Sequence, residues 1–581
     1  MNEEPTSFGQ KTRKGSLGRV LIIAALVAFS IGVVTIGRSL TTAEDYGAAS
    51  ILGLVILFVL FGLLLFVRRL YRRGNFQRVG FGFACLVTLV ALFYAEEDWR
   101  GKHDWEKFKR AWEAKGERFD RAGVVPPAVP DNQNFALTPV AASSYETVLD
   151  QNGHAVWPRN TNVINRLRMN PYSSSQGNSG ALAWPTNGDW RAAKTSDLNA
   201  WQQYYRALAA KTNEFPVPSQ PQSPAADVLL ALSKYDSAIQ ELRQSAQLRY
   251  SRFPLEYDKD DPAAILLPHL AALKSCSHVL QLRALAELQN GQSDLALADI
   301  ELILRLTDSV RTEPILISHL VRIAMLNIAL QPVWEGLAGH RWSDAQLAEL
   351  DRKMAGLDFI SDYRLAMRGE MALFQGGIFE YLRHHPGQLA NLVGDSATAV
   401  PIPALAISRL VPVGWFYQNQ LHCARPMVEF YLPAADVNLG IFSPKTIQQA
   451  DATIVAETRQ LNPCNALERL LLPALGNAAK KFAQGQNAAN LALAATALER
   501  YRLAHGDYPQ SFDALTPQFI AKLPPDVING HPLHYQHETD GQFVLYSVGW
   551  NETDEDGEAS LNKSGAVDIN QGDWAWRYPT K

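Results

Sequence analysis

Three apolar runs without a single charged residue occupy the first hundred positions of the chain. They cover residues 20–37, 47–67 and 79–95 and are 18, 21 and 17 residues long. These lengths lie within the range of about 17 to 25 residues that a membrane-spanning helix needs. Buried core helices are the alternative, but three such runs separated by charged hinges favour membrane spans. The sequence therefore predicts a three-span membrane anchor over residues 1–97, with the lipid bilayer as its first partner.

Basic residues flank these runs unevenly. Clusters of basic residues precede the first run and separate the second from the third, whereas Arg38 faces Glu44 and Asp45 between the first and second. Because short basic loops stay in the cytoplasm, the N-terminus is predicted to be cytoplasmic and the chain after about residue 96 extracytoplasmic. In a Gram-negative cell this corresponds to a multi-pass inner-membrane protein with a periplasmic domain. The basic residues are Lys11, Arg13, Lys14, Arg19, Arg68, Arg69, Arg72, Arg73 and Arg78.

The overall length and charge exclude several classes of protein. A chain of 581 residues is too long for one small domain, so several modules are expected. Its 54 basic and 58 acidic residues give a net charge of -4, which provides no global field for nucleic acid. No nucleic-acid partner is therefore expected. Among the four cysteines, Cys423 and Cys464 are the pair that an oxidising compartment could join, although spacing alone does not establish a disulfide.

Two segments follow the anchor. Residues 98–195 combine a tryptophan-rich juxtamembrane helix, whose aromatic side chains either anchor at the interface or pack on the soluble domain, with a proline-rich connector. Residues 196–464 have helical periodicity, and residues 284–299 resemble one tetratricopeptide hairpin. Ser343 and Gln346 predict a capping box. The prediction is a mainly α-helical domain built as a helical-hairpin array.

Residues 465–581 have the pattern of a small α+β domain. A long helix is predicted from about Ala474 to His505, ending at Gly506, which can adopt the left-handed cap. Strands are predicted at 533–537 and 543–548, with a final strand at 574–578.

Short motifs in this region carry a resemblance. Residues 498–509 read LERYRLAHGDYP, residues 545–549 read LYSVG, and residues 566–569 read AVDI ahead of Asp573 and Trp574. This order of motifs resembles the soluble domain of the type II secretion major pseudopilin. The middle helices and their junction to this tail also resemble large membrane-anchored envelope proteins of the planctomycete and verrucomicrobial type, a resemblance that implies no activity.

The pseudopilin resemblance implies calcium in the loop after the LYSVG strand. Asp568 matches the aspartate of the family's final motif and is the first expected ligand, followed by Asn551, Asp554 and Asp556. Hard oxygen ligands on a turn suit calcium. A solvated acidic turn is the alternative interpretation.

The other end of the chain departs from the pseudopilin pattern, since Val20 stands where a prepilin-peptidase site has glutamate. We therefore expect no processing or polymerisation of that kind. The favoured hypothesis is a non-enzymatic envelope scaffold or adaptor with a calcium-binding, pseudopilin-like tip that binds secretion or other envelope proteins.

The alternative hypothesis is a membrane-anchored extracytoplasmic hydrolase. No catalytic motif supports an enzyme, and no catalytic residue is assigned. The adjacent pair His384 and His385, and His422 beside Cys423, lack a recognised ligand spacing, so surface or capping roles are favoured for these histidines.

Overall fold

The computed structural model describes residues 76–144, 148–149, 155–156, 166–173, 184–388, 411–459, 462–539, 541–563 and 565–579. The chain divides between Glu96 and Glu97 into a first and a second unit. The predicted spans at 20–37 and 47–67 lie outside the described residues. The third predicted span, at 79–95, lies in the first half of helix α1, which extends over Phe76–Glu113.

The described part of the first unit is the apolar start of α1. Large apolar side chains there are exposed, Phe81 to 74% and Leu89 to 64% of their surface. A helical segment over Gly80–Glu113 is long and apolar enough to cross a membrane, and its apolar window has no buried residue. Exposed apolar surface on this scale is typical of contact with lipid.

Two further segments, Pro262–Gln289 and Leu316–Ala338, also meet the length and composition of a membrane span. About half of the apolar window in Pro262–Gln289 is buried inside the second unit of the chain, and about two thirds of the window in Leu316–Ala338 is buried there. Their apolar side chains therefore have partners in the protein core.

The second unit is mainly helical. Several helices begin at side-chain caps: Asp197, Ser223, Ser343, Asp358 and Ser443 each accept a main-chain N–H of the first turn. The helices are α2 (Pro139–Ala142), α3 (Leu198–Ala209), α4 (Pro224–Leu232), α5 (Asp236–Ser245), α6 (Pro268–Gln289), α7 (Ser293–Asp308), α8 (Leu316–Ala338), α9 (Asp344–Met354), α10 (Phe359–Gly369), α11 (Gly376–His384), α12 (Val413–Pro426), α13 (Pro444–Glu457), α14 (Glu468–Leu471) and α15 (Pro473–His505).

The predicted hairpin at 284–299 is confirmed as the junction of α6 and α7. Gly291 lies in the turn with a φ of 77°, a conformation that favours glycine. The capping box is also confirmed, because Ser343 accepts the N–H of Gln346 and the Gln346 side chain accepts the N–H of Ser343.

Helix α15 is the shared centre of the second unit. It ends as predicted at Gly506, whose φ is 89°. It packs against α8, α9, α10 and α13 and also against strands of the C-terminal sheets. Its buried side chains include many alanines, which allow close approach from several directions.

The C-terminal region forms two small antiparallel sheets. Strands β5 (His534–His537), β6 (Phe543–Ser547) and β9 (Trp574–Trp576) form the first, in the order β5-β6-β9. Leu545 pairs with Tyr535 on one side and with Trp576 on the other. Strands β7 (Ala559–Leu561) and β8 (Val567–Gly572) form the second sheet. Two short antiparallel pairs lie earlier in the chain: β1 (Val148–Leu149) with β2 (Ala155–Val156), and β3 (Ala435–Asp436) with β4 (Ile441–Phe442).

One hydrophobic core connects these parts. The rings of Trp190, from the connector, and Trp576, from β9, lie 5.1 Å apart, and both residues belong to the same buried cluster as the helical block. The predicted boundaries at 195/196 and 464/465 therefore fall inside a single unit. All four cysteines are free thiols, so Cys423 and Cys464 are not joined.

The juxtamembrane tryptophans differ in burial, and the packing role is confirmed for Trp105. Trp105 is buried against Phe108 and Phe119, whereas Trp99 is 67% exposed.

Candidate metal centre

The loop between β6 and β7 folds back over the start of β9. Its backbone adopts the left-handed region at Glu552, Asp556 and Gly557. Gly557 has little space for a side chain, since an added Cβ would lie 2.7 Å from Val544 Cγ1. Glycine at 557 therefore suits both the left-handed backbone and the close packing of this loop, which brings the main chain against Asp573.

Asp573 is the best-buried carboxylate at this position, with none of its surface exposed. Its Oδ2 accepts the main-chain N–H of Glu555 at 3.0 Å and that of Gly557 at 2.7 Å. Its other oxygen, Oδ1, is buried and has no hydrogen-bond partner among the described residues. A buried carboxylate oxygen without a partner costs free energy unless a proton or a cation compensates it.

Glu555 adds a second carboxylate that has one buried oxygen without a hydrogen-bond partner among the described residues. Its Oε1 accepts the Nδ2–H of Asn551 at 2.6 Å, while its Oε2 is buried without a hydrogen-bond partner among the described residues. Burial, together with the neighbouring Glu555 carboxylate, raises the pKa of Asp573 to about 7, against the lowering effect of the two N–H donors.

This donor set fits a hard cation. The two carboxylates offer oxygen atoms, which are the ligands that calcium takes at 2.3–2.6 Å. Asn551 turns its Nδ2–H toward Glu555, so a flip of its amide would bring its oxygen to the same place. A divalent ion would compensate the two orphaned oxygens and remove the repulsion between the carboxylates. A proton shared between Asp573 and Glu555 is the competing way to compensate them.

The structure brings Asn551 into this network but gives the other predicted ligands different partners. Asp554 Oδ1 accepts the N–H of Asp556 at 3.0 Å, and its Oδ2 lies 3.4 Å from Nδ1 of His534. Both aspartates are exposed.

Asp568, the first expected ligand, lies on β8. Its Oδ1 accepts the main-chain N–H and the side-chain Nδ2–H of Asn570, and these hydrogen bonds lower its pKa. The Asn570 Oδ1 in turn accepts a hydrogen bond from Lys480 Nζ at 2.8 Å. Asp568 therefore hydrogen-bonds within its own strand rather than to the loop.

The sequence pattern does not predict Asp573 and Glu555 as ligands. Asp573 belongs to the final motif of the resemblance, but the metal position of that motif corresponds to Asp568. Glu555 lies within an acidic run, where the sequence does not show which carboxylate turns inward.

The hydrolase hypothesis requires a serine, a histidine and a carboxylate that converge in a pocket. In the described residues, Ser318 and His269 both contact Glu313, with His269 Nε2 2.9 Å from Glu313 Oε1. All three are buried, and the carboxylate lies between the other two groups. This order does not place the histidine as a base for the serine.

Compared with known protein families, with curated proteins and with solved structures, the chain has no match.

Proposed function

We propose that the protein is a membrane-anchored scaffold or adaptor of the cell envelope, in which calcium stabilises a pseudopilin-like C-terminal module. The observation that carries the calcium proposal is the pair of buried, unpartnered oxygens on Asp573 and Glu555. The exposed apolar start of α1 supports the anchor.

The calcium ligands that we propose are Asp573, Glu555 and Asn551. Asp573 immediately precedes β9, and β9 joins the C-terminal sheet to the connector through Trp576 and Trp190. An ion held between the loop and Asp573 would therefore stabilise the docking of β9. The sequence-based set of Asp568, Asn551, Asp554 and Asp556 is the competing ligand set.

The tip of the β3–β4 hairpin supports a role in binding other envelope proteins, including those of type II secretion. Leu439 is 65% exposed there, and Val437 is exposed beside it. Asp436 Oδ1 accepts the N–H groups of Asn438 and Leu439, which holds the tip in one conformation. A preorganised apolar tip binds a partner at a lower entropic cost than a flexible one.

Calorimetry on the full chain in detergent tests the calcium proposal. Helix α15 is buried against the helical block, so the C-terminal segment alone is not an adequate sample. We expect Asp573→Asn and Glu555→Gln to abolish calcium binding, and Asp568→Asn to leave it unchanged. Asp507→Asn, at an exposed aspartate, is the matched control.

Each alternative result has a distinct meaning. Loss of binding in Asp568→Asn with retention in Asp573→Asn would favour the sequence-based ligand set. No calcium binding by the unsubstituted chain would leave the shared proton as the compensation and contradict the calcium proposal.

Reporter fusions test the orientation that we propose, with an inner-membrane location and a cytoplasmic N-terminus. Alkaline phosphatase fused after Lys581 should be active, and the same reporter fused after Arg78 should be inactive. The opposite pattern would contradict the proposed envelope location of the second unit. A photo-crosslinking residue at Leu439 should capture envelope proteins, whereas one at the exposed Leu561 serves as the control.

A further inference from the structure

Three metal-binding side chains from three different helices meet elsewhere in the second unit. His422 lies on α12, Glu457 is the last residue of α13, and Glu468 is the first residue of α14. His422 Nδ1 is 3.4 Å from Glu457 Oε2 and 3.8 Å from Glu468 Oε2. The three ligand atoms all lie within 4.8 Å of one another.

Glu468 is the most deeply buried member of this cluster. None of its surface is exposed, and neither of its side-chain oxygens accepts a hydrogen bond from the described residues. A buried carboxylate with two unpartnered oxygens is costly unless a positive charge lies beside it. Burial raises its pKa to about 7.

The imidazole of His422 is suited to bind a metal rather than to supply that charge. Burial, together with Arg425, outweighs the effect of Glu457 and lowers the pKa of His422. A neutral imidazole nitrogen is a ligand for zinc and other transition metals.

Side chains around the cluster hold the three ligands in place. Asn419 donates its Nδ2–H to the main-chain oxygen of Pro463 at 2.6 Å and accepts the N–H of Leu467 at 3.0 Å. Asn465 donates to the main-chain oxygen of Glu457 at 2.8 Å. These bonds tie the start of α14 to α12 and to the end of α13, as outer groups do at metal sites.

We propose that His422, Glu457 and Glu468 bind a divalent transition-metal ion, with Zn²⁺ as the best-fitting member of the class. Ligands at about 2.0–2.2 Å around a tetrahedral ion lie about 3.4 Å from one another. The two distances from His422 Nδ1 are close to that value, so small side-chain rotations complete the site. One nitrogen and two carboxylate ligands leave a fourth position for water.

His422 lines a cavity of about 360 Å³ together with Arg100, Asp104, Lys107 and Arg425. The proposal does not depend on calcium at Asp573, because no residue is shared between the two sites.

Zinc binding by the full chain in detergent tests the proposal. The chain is stripped with a chelator and dialysed against zinc in excess calcium, and the bound metal is measured by mass spectrometry and by competition with a chromophoric chelator. We expect one zinc per chain at this site, with at least about 10-fold weaker binding in Glu468→Gln and Glu457→Gln. His384→Gln removes a histidine outside the cluster and should bind zinc like the unsubstituted chain.

Thermal melting separates a metal site from a merely structural glutamate. In metal-free buffer Glu468→Gln should melt at or above the temperature of the unsubstituted chain, because it removes an uncompensated buried charge. Zinc should raise the melting temperature of the unsubstituted chain but not that of the variant. Equal zinc affinity in all four proteins, or no zinc retained by the unsubstituted chain, would overturn the proposal. Glu457 is partly exposed, so Glu457→Gln decides the outcome if Glu468→Gln does not fold.

Discussion

Trp334 on α8 donates its indole Nε1–H to the main-chain oxygen of Arg577 at 3.1 Å, across 243 residues of sequence. Its ring also contacts that of Tyr578, with centroids 5.9 Å apart. These two contacts of Trp334 attach the end of the chain to the middle of the helical block. It makes the C-terminal module part of one core rather than a separate tip.

Replacing Trp334 should loosen this attachment. Trp334→Phe keeps an aromatic ring but loses the hydrogen bond and leaves the Arg577 oxygen without its donor, which should lower the free energy of unfolding by about 1–3 kcal/mol. Chemical denaturation followed by circular dichroism measures the change. Trp184→Phe, at a residue that is 58% exposed, should have little effect. Equal stability of the two variants would show that the Trp334 bond does not hold the module in place.

Arg322 should be among the most sensitive charged residues. It is fully buried, donates to Asp308 at 2.8 Å and to Asp362, and lies over the ring of Phe359. Arg322→Ala leaves the buried Asp362 with only the half-exposed Arg311, whose Nε lies 3.6 Å away, and should cost about 3–5 kcal/mol in denaturant titrations. Arg352→Ala, which removes an exposed arginine, should leave the midpoint nearly unchanged.

Glu370 should contribute a loss of stability as the pH rises from 5 to 8. Burial raises the pKa of Glu370 to about 7 from an ordinary value of 4.5. The folded state therefore binds this proton more tightly than the unfolded state. The resulting stabilisation is complete below about pH 4.5 and is lost as the pH rises through about 7.

Glu370→Gln isolates this contribution. Over pH 5 to 8, in chelator, the unsubstituted chain should lose on the order of 2 kcal/mol more stability than the variant. Glu256→Gln, at an exposed glutamate, should follow the unsubstituted chain. Parallel pH profiles for Glu370→Gln and the unsubstituted chain would contradict the raised pKa.

Gly557 should be essential to the loop that holds Asp573. An added Cβ would lie 2.7 Å from Val544 Cγ1, and the φ of 83° already disfavours alanine. Gly557→Ala should therefore cost about 1–3 kcal/mol more than Gly541→Ala, which has a similar φ of 78° but open space around it. Thermal melting of the two variants gives the comparison. Equal losses would mean that the loop accommodates the methyl group by moving.

Local pattern predicted much of the secondary structure. The turn at Gly291, the capping box at Ser343 and the end of α15 at Gly506 each depend on a few adjacent residues. The strands β6 and β9 likewise follow from short apolar and aromatic runs, and a turn separates β5 from β6.

Pattern did not predict which carboxylates turn inward. Asp568 and Asp573 lie five residues apart, yet the first hydrogen-bonds within an exposed strand and the second is completely buried. The backbone conformation at Gly557 and the packing around β9 create that difference, and both arise from contacts between distant parts of the chain.

The sequence by itself therefore determined the apolar start of α1, the helical character of the middle of the chain and the local turns, because each depends on periodicity or on neighbouring residues. Only the tertiary structure decided that the second unit shares one core around α15, that Asp573 is buried beside Glu555, and that His422 meets Glu457 and Glu468. Burial and convergence are properties of segments that are far apart in sequence, and no local pattern specifies which of them meet.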